Sequence, residues 1–154
     1  MSSPTPALKI TRQLSHERTR VFSALTDPAK MARWFFGMNG PSTVANDLRP
    51  GGRYTIEMLD NQPSCRPTGT YLEIVPPEKL VFTWSSGHSG PAETKVTIEL
   101  IAQGTGTKLV LTHELLPEDQ VAPHREGWIV CLDHLELFLA GKPVAAAAAP
   151  AAGA

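Results

Sequence analysis

The feature that most constrains this chain is a change of period. From residue 43 to residue 114 apolar side chains recur at every second position, and from residue 124 to residue 141 they recur at helical spacing. "RYTIEML", "ETKVTIEL" and "TKLVLTHEL" alternate cleanly, as half-buried strands do. "HREGWIVCLDHLELFLAG" does not. Wound at about 100° per residue, it gathers Phe138, Cys131, His124, Leu135, Trp128, Leu139 and Leu132 on one arc, with Arg125, Glu126, Asp133 and Glu136 opposite. Strands joined by tight turns such as "RPGG", "PPE" and "QGTG" pair antiparallel, and alternation leaves one face packed and the other wet. The packed face needs a cover and the helix stripe needs a partner. Together they predict an α+β fold in which a strongly bent antiparallel sheet grips one long C-terminal helix.

The N-terminal part adds a first strand, "ALKITRQL" over residues 7–14, in which Leu8, Ile10 and Leu14 alternate and Arg12 is the exception. Two short helices follow. Ser15 is positioned to cap "HERTRVFSAL", and Asp27 caps a second helix that opens at Pro28 and ends near "FFGMNG". The strand "TYLEIV" is ambiguous, since either Tyr71 with Glu73 or Leu72 with Ile74 could face inward. Pro123 marks either the first turn of the long helix or a kink in it.

Composition excludes several classes of function. The chain has 154 residues and a formal net charge of -1, with no basic patch, so neither nucleic acid nor an anionic membrane is an expected partner. "MSSPTP" lacks the features of a secretion signal, and no stretch reaches the ~18 apolar residues of a membrane span. The cytoplasm is the simplest compartment. Residues 7–140 form a single expected domain, with a flexible 1–6 and a disordered Ala/Pro-rich tail over 141–154. Cys65 lies in a polar turn and Cys131 on the apolar helix face, which argues against a disulfide between them.

"DPAKMARWF", "NDLRPGGRY", "GTYLEIVPPEKLVFTW", "GTGTKLVLTHE" and "HREGW" with "LDHLELFL" occur in an order that resembles bacterial relatives of the activator of the heat-shock-protein-90 ATPase. That family belongs to the SRPBCC or START-like superfamily. The resemblance covers residues 7–140 and implies the helix-grip (START/Bet v-like) fold, with about six or seven strands curved around the helix and two short helices after the first strand. It also implies a cavity between helix and sheet, without naming a ligand. A chaperone partner is not expected: the eukaryotic activators carry a further N-terminal domain, and here the first strand starts at about Ala7.

Alternation and helical winding select the residues that would line such a cavity. They are Trp34, Phe36, Tyr54, Ile56, Met58, Tyr71, Phe82, Trp84, Val96, Ile98, Leu111, His113, His124, Trp128, Cys131 and Leu132. An aromatic stripe is ordinarily core, and each buried ring stabilises by ~1.5–3 kcal/mol. Trp34, Trp84, Trp128 and Tyr54 beside two histidines also suit a small hydrophobic or aromatic molecule. A buried imidazole needs a hydrogen-bond partner, so His113 is assigned to the ligand and His124 stays open between a ligand and a core hydrogen bond. The leading expectation is therefore a small-molecule binding protein with a cavity of about 300 Å3 or more.

The alternative is a cyclase or dehydratase in which His113 or His124 acts as general acid–base, assisted by Glu57, Glu73 or Tyr71. It requires a carboxylate within reach of an imidazole inside the pocket. No metal or other cofactor is expected, because His88, His113 and His124 lack zinc-like spacing and no phosphate loop or nucleophile turn is present. A third reading is a protein-interaction module, which predicts exposed apolar residues on the outer helix face; Ile129, Val130 and Leu137 lie off the main stripe, so a monomer and a homodimer are both compatible with the sequence.

Overall fold

The computed structural model of the chain describes residues 8–35, 43–57, 67–85, 94–116, 118–142 and 144. Phe36, Met58, Cys65 and His88 lie outside these residues, as do residues 1–7 and nearly all of the tail. The elements are β1 (Leu8–Leu14), α1 (Arg18–Thr26), α2 (Pro28–Met31), β2 (Thr43–Asn46), β3 (Arg53–Glu57), β4 (Thr68–Val75), β5 (Lys79–Trp84), β6 (Thr94–Gln103), β7 (Gly106–Glu114) and α3 (Val121–Leu139). The seven strands form one curved antiparallel sheet in the order β1-β7-β6-β5-β4-β3-β2. The two short helices carry the chain from one sheet edge, β1, to the other, β2.

Register fixes the inner face as rows. Leu8 faces His113, which faces Val96, which faces Phe82, which faces Tyr71. The next row runs Ile10, Leu111, Ile98, Leu80, Ile74, and the one beyond it Arg12, Leu109, Leu100. On α3 the buried residues are Trp128, Cys131, Leu132, Leu135 and Leu139, with Phe138 packed beside them. The stripe read from the sequence is the face the sheet grips.

The ambiguity in β4 has a backbone cause. Tyr71 pairs with Phe82 and Glu73 with Val81, so β4 advances two residues while β5 advances one. Leu72 is the extra residue of a β-bulge and stands 49% exposed. The bulge reverses the alternation, so Tyr71 faces inward from one expected set and Ile74 from the other. Close approach of β4 to β5 also explains Gly69, where a Cβ would lie 2.0 Å from the Thr83 carbonyl oxygen. Gly51 takes φ +87° in the "RPGG" turn.

The caps were partly predictable. Asp27 accepts from the amides of Ala29 (2.9 Å) and Lys30 (3.4 Å), and Pro28 occupies the first helical position. Ser15 does not cap α1, which begins after Glu17. Thr107 donates to the His16 carbonyl at 2.6 Å and holds that segment against β7. α3 starts at Val121, so Pro123 falls in the first turn, where an amide hydrogen has no intrahelical partner to lose.

Arg12, the exception in β1, faces the helix. Its Nη1 donates to Glu136 Oε2 at 2.7 Å and lies 2.9 Å from Asp133 Oδ1. Burial works against the guanidinium charge, but the hydrogen bonds and charges of Glu136 and Asp133 outweigh it and raise the pKa above its ordinary value. The polar face of α3 thus supplies the partners that let a charge stand on the inner face.

Candidate functional site

The first half of α3, the inner ends of β5 and β7, and the turn after α2 bring six rings together. Trp84 lies 5.1 Å from Trp128, 5.9 Å from Phe35, 5.8 Å from His113 and 6.5 Å from His124, centroid to centroid. Trp34 stacks obliquely on Phe35 at 5.2 Å, and His113 meets His124 edge-on at 5.3 Å. Tyr54, Tyr71 and Phe82 form a second, adjoining trio with centroids 5.5–6.4 Å apart.

His113 is fully buried and its hydrogen bonds define its tautomer. Trp128 Nε1–H donates to His113 Nδ1 at 3.0 Å, so Nδ1 carries no proton. His113 Nε2–H then donates to Thr94 Oγ1 at 2.7 Å, and Thr94 donates to the Trp84 carbonyl at 2.9 Å. Every hydrogen in this relay has one acceptor. Burial, reinforced by the neighbouring His124, lowers the His113 pKa to about 3. His113 is thus a neutral core imidazole with both nitrogens engaged, and the expectation that it reaches for a ligand gives way to this relay. His124 sits in the first turn of α3, half-buried, and its Nδ1–H donates to the Gln120 carbonyl at 2.9 Å.

The acid–base arrangement does not assemble around His113. Its partners are Thr94 and Trp128, not a carboxylate. Glu57 and Glu73 are exposed, and Glu73 pairs with Lys79 at 3.5 Å. The reason is alternation: Glu57 points opposite to Ile56, and the bulge sends Glu73 outward. Tyr71 is buried, and its hydroxyl accepts from Asn46 Nδ2 at 3.1 Å. Burial raises the Tyr71 pKa, against the lowering effect of that hydrogen bond.

A small apolar cavity of about 20 Å3 remains at this end of the interface. Of the residues expected around it, Trp34, Tyr54, Ile56, Tyr71, Phe82, Trp84, Ile98, Leu111, Trp128 and Leu132 line it. Val96, His113, His124 and Cys131 do not; Val96, His113 and Cys131 are packed into the core instead. Leu25, Met31, Phe35 and Leu80 complete the lining. Leu80 shares the inner face of Phe82 and was readable from alternation, whereas Leu25 and Met31 depend on how the short helices dock. The volume is far below the 300–1,000 Å3 of pockets that hold a drug-sized molecule, so the expected open cavity is absent from the described residues.

A larger hollow of about 670 Å3 lies on the surface between α1, α2 and the β4–β5 turn. It is open, and its polar residues are already committed: Asp27 caps α2, and Asn46 donates to the Thr26 carbonyl and to Tyr71. The aromatic end differs in one respect. Trp34 Nε1–H donates to the Ala24 carbonyl at 2.8 Å and Trp128 Nε1–H to His113, yet Trp84 Nε1–H is buried with no protein acceptor.

Among the described residues no group of three His, Cys, Asp or Glu side chains could hold a metal, and no helix is long and apolar enough to cross a membrane.

Comparison with known proteins agrees with this architecture. No curated protein matches the chain. Among solved structures, CalU16 from Micromonospora echinospora is 28% identical with a TM-score of 0.70, over 86% of this chain and 75% of that one. Protein CV1439 from Chromobacterium violaceum is 27% identical with a TM-score of 0.74, over 86% and 96%. PFC0360w, an HSP90 activator from Plasmodium falciparum, is 26% identical with a TM-score of 0.73, over 87% and 96%. Residues 15–140 match the family described as Activator of Hsp90 ATPase homolog 1-like protein, and with that span covering most of the domain, the chain belongs to this family.

Proposed function

We propose that this protein binds a small, mostly apolar molecule among the aromatic rings between α3 and the sheet. The observation that supports the reading is where packing is incomplete: the residual cavity lies among Trp34, Phe35, Trp84 and Trp128, not among the leucines of the later helix turns. With only about 20 Å3 free, a guest has to part these rings, so the form described is the closed one and binding costs the opening of the cluster. A fluorescence and thermal-shift screen of neutral aromatic probes tests it. Saturable quenching of the cluster tryptophans with a raised Tm is expected. Failure of every probe up to its solubility limit would overturn the reading.

A second reading, action on an HSP90-type chaperone, draws on the family description and on the likeness to PFC0360w. Stimulation of a chaperone ATPase by the purified chain would support it, and no stimulation at saturating concentration would remove it.

A further inference from the structure

Three tryptophans stand in this chain, and the structure treats their N–H groups differently. Those of Trp34 and Trp128 have acceptors at 2.8 and 3.0 Å. That of Trp84 has none, although the residue is only 6% exposed and lines the cavity. None of the neighbours supplies one here, His124 included, whose ring centroid lies 6.5 Å away. His113 Nδ1 already accepts from Trp128, the Trp84 carbonyl is held by Thr94, and Phe35 offers only a ring. A buried donor left without an acceptor is costly, and native structures rarely keep one without a use.

We infer that Trp84 is the polar anchor of the site, its indole N–H donating to an acceptor oxygen on a neutral and otherwise apolar guest, such as an aryl ketone. This rests on the ligand-binding reading above and narrows it to a chemical class. The indole is a donor only, so the complementary atom on the guest is an acceptor. The guest is uncharged because no described residue lining the cavity carries a charge, and an ion buried there would lack a partner. The flanking rings of Phe35 and Trp128, 5.9 and 5.1 Å from Trp84, favour a flat aromatic body.

A matched pair of probes tests the assignment: acetylnaphthalene, which carries a carbonyl oxygen, and isopropenylnaphthalene, which has the same shape with a methylene in its place. The three indole N–H cross-peaks of a proton–nitrogen correlation spectrum are assigned with Trp34→Phe, Trp84→Phe and Trp128→Phe. The ketone is expected to move the Trp84 cross-peak downfield and to bind about five- to tenfold more tightly than its isostere, the worth of one neutral hydrogen bond. In Trp84→Phe, which keeps a ring and loses no hydrogen bond of the free protein, the two probes should bind alike. Equal binding to the wild type, with the Trp84 cross-peak responding identically to both, overturns the anchor while leaving the ligand site standing. If neither probe moves any cross-peak of the cluster, the ligand reading falls and the anchor with it.

Discussion

The two ends of the helix–sheet interface are closed by different chemistry. At the end reached by Leu135 and Leu139 the seal is mainly aliphatic, with both leucines at most 2% exposed and one ring, Phe138, packed beside them, and Arg12 fastens β1 to Asp133 and Glu136. At the end reached by Trp128 the seal is a set of rings whose polar edges need specific partners. Aliphatic side chains interdigitate and leave little free space. Rings are flat, meet tilted or edge to face at 5.1–6.2 Å, and fill a curved volume less completely. That contrast teaches where the core is committed to stability and where it retains the capacity to open.

The largest effect should come from the aliphatic end. Leu135→Ala is expected to lose about 3–5 kcal/mol in denaturant unfolding, because its packed neighbours cannot collapse into the space. Leu132→Ala, whose side chain already borders the cavity, should fall nearer about 2–3 kcal/mol. Equal losses would erase the difference between the ends.

His113 provides the next test. Its folded pKa is lowered to about 3, so the unfolded chain takes up the proton first, near its ordinary value of about 6.5. The stability from keeping it neutral is therefore complete above about pH 6.5 and is lost as pH falls toward 3. Urea unfolding between pH 7 and pH 5 should show the wild type losing up to about 1.4 kcal/mol per pH unit more than His113→Gln. Parallel pH profiles would mean that His113 takes up its proton at the same pH in the native protein as in the unfolded chain, contrary to the lowered value.

The smallest effect belongs to the clasp. Asp133 and Glu136 remain 61% and 43% exposed, so water screens their attraction for Arg12. Arg12→Met should cost about 1 kcal/mol or less, as measured by the same unfolding experiment. A loss of several kcal/mol would show that the clasp, not the leucines, closes that end.

How far the sequence reaches follows from what each feature depends on. The change of period specified the sheet, the helix and the face each buries, because burial on one side leaves a direct trace in residue spacing. It could not reveal the bulge at Leu72, a backbone event that leaves no mark in residue type. Arg12 was visible as an exception, but its partners lie 121 and 124 positions away on the helix. His113 was visible as a polar inward residue, while its tautomer depends on Thr94 and Trp128 arriving from two other elements. Spacing shows which side chains point inward; it does not show whether the space between them is filled. For that reason spacing alone led to the expectation of a large cavity that the described residues do not form.

The most direct test of the central claim is to map where an apolar probe enters. A titration with naphthalene, followed through the side-chain resonances of both ends, asks that question of the unmodified protein. The account predicts saturable shifts at Ile98, Leu111, Trp128 and Leu132, with Leu100, Leu109 and Leu139 unmoved. Shifts spread evenly over both ends, or none at the aromatic cluster, would contradict it.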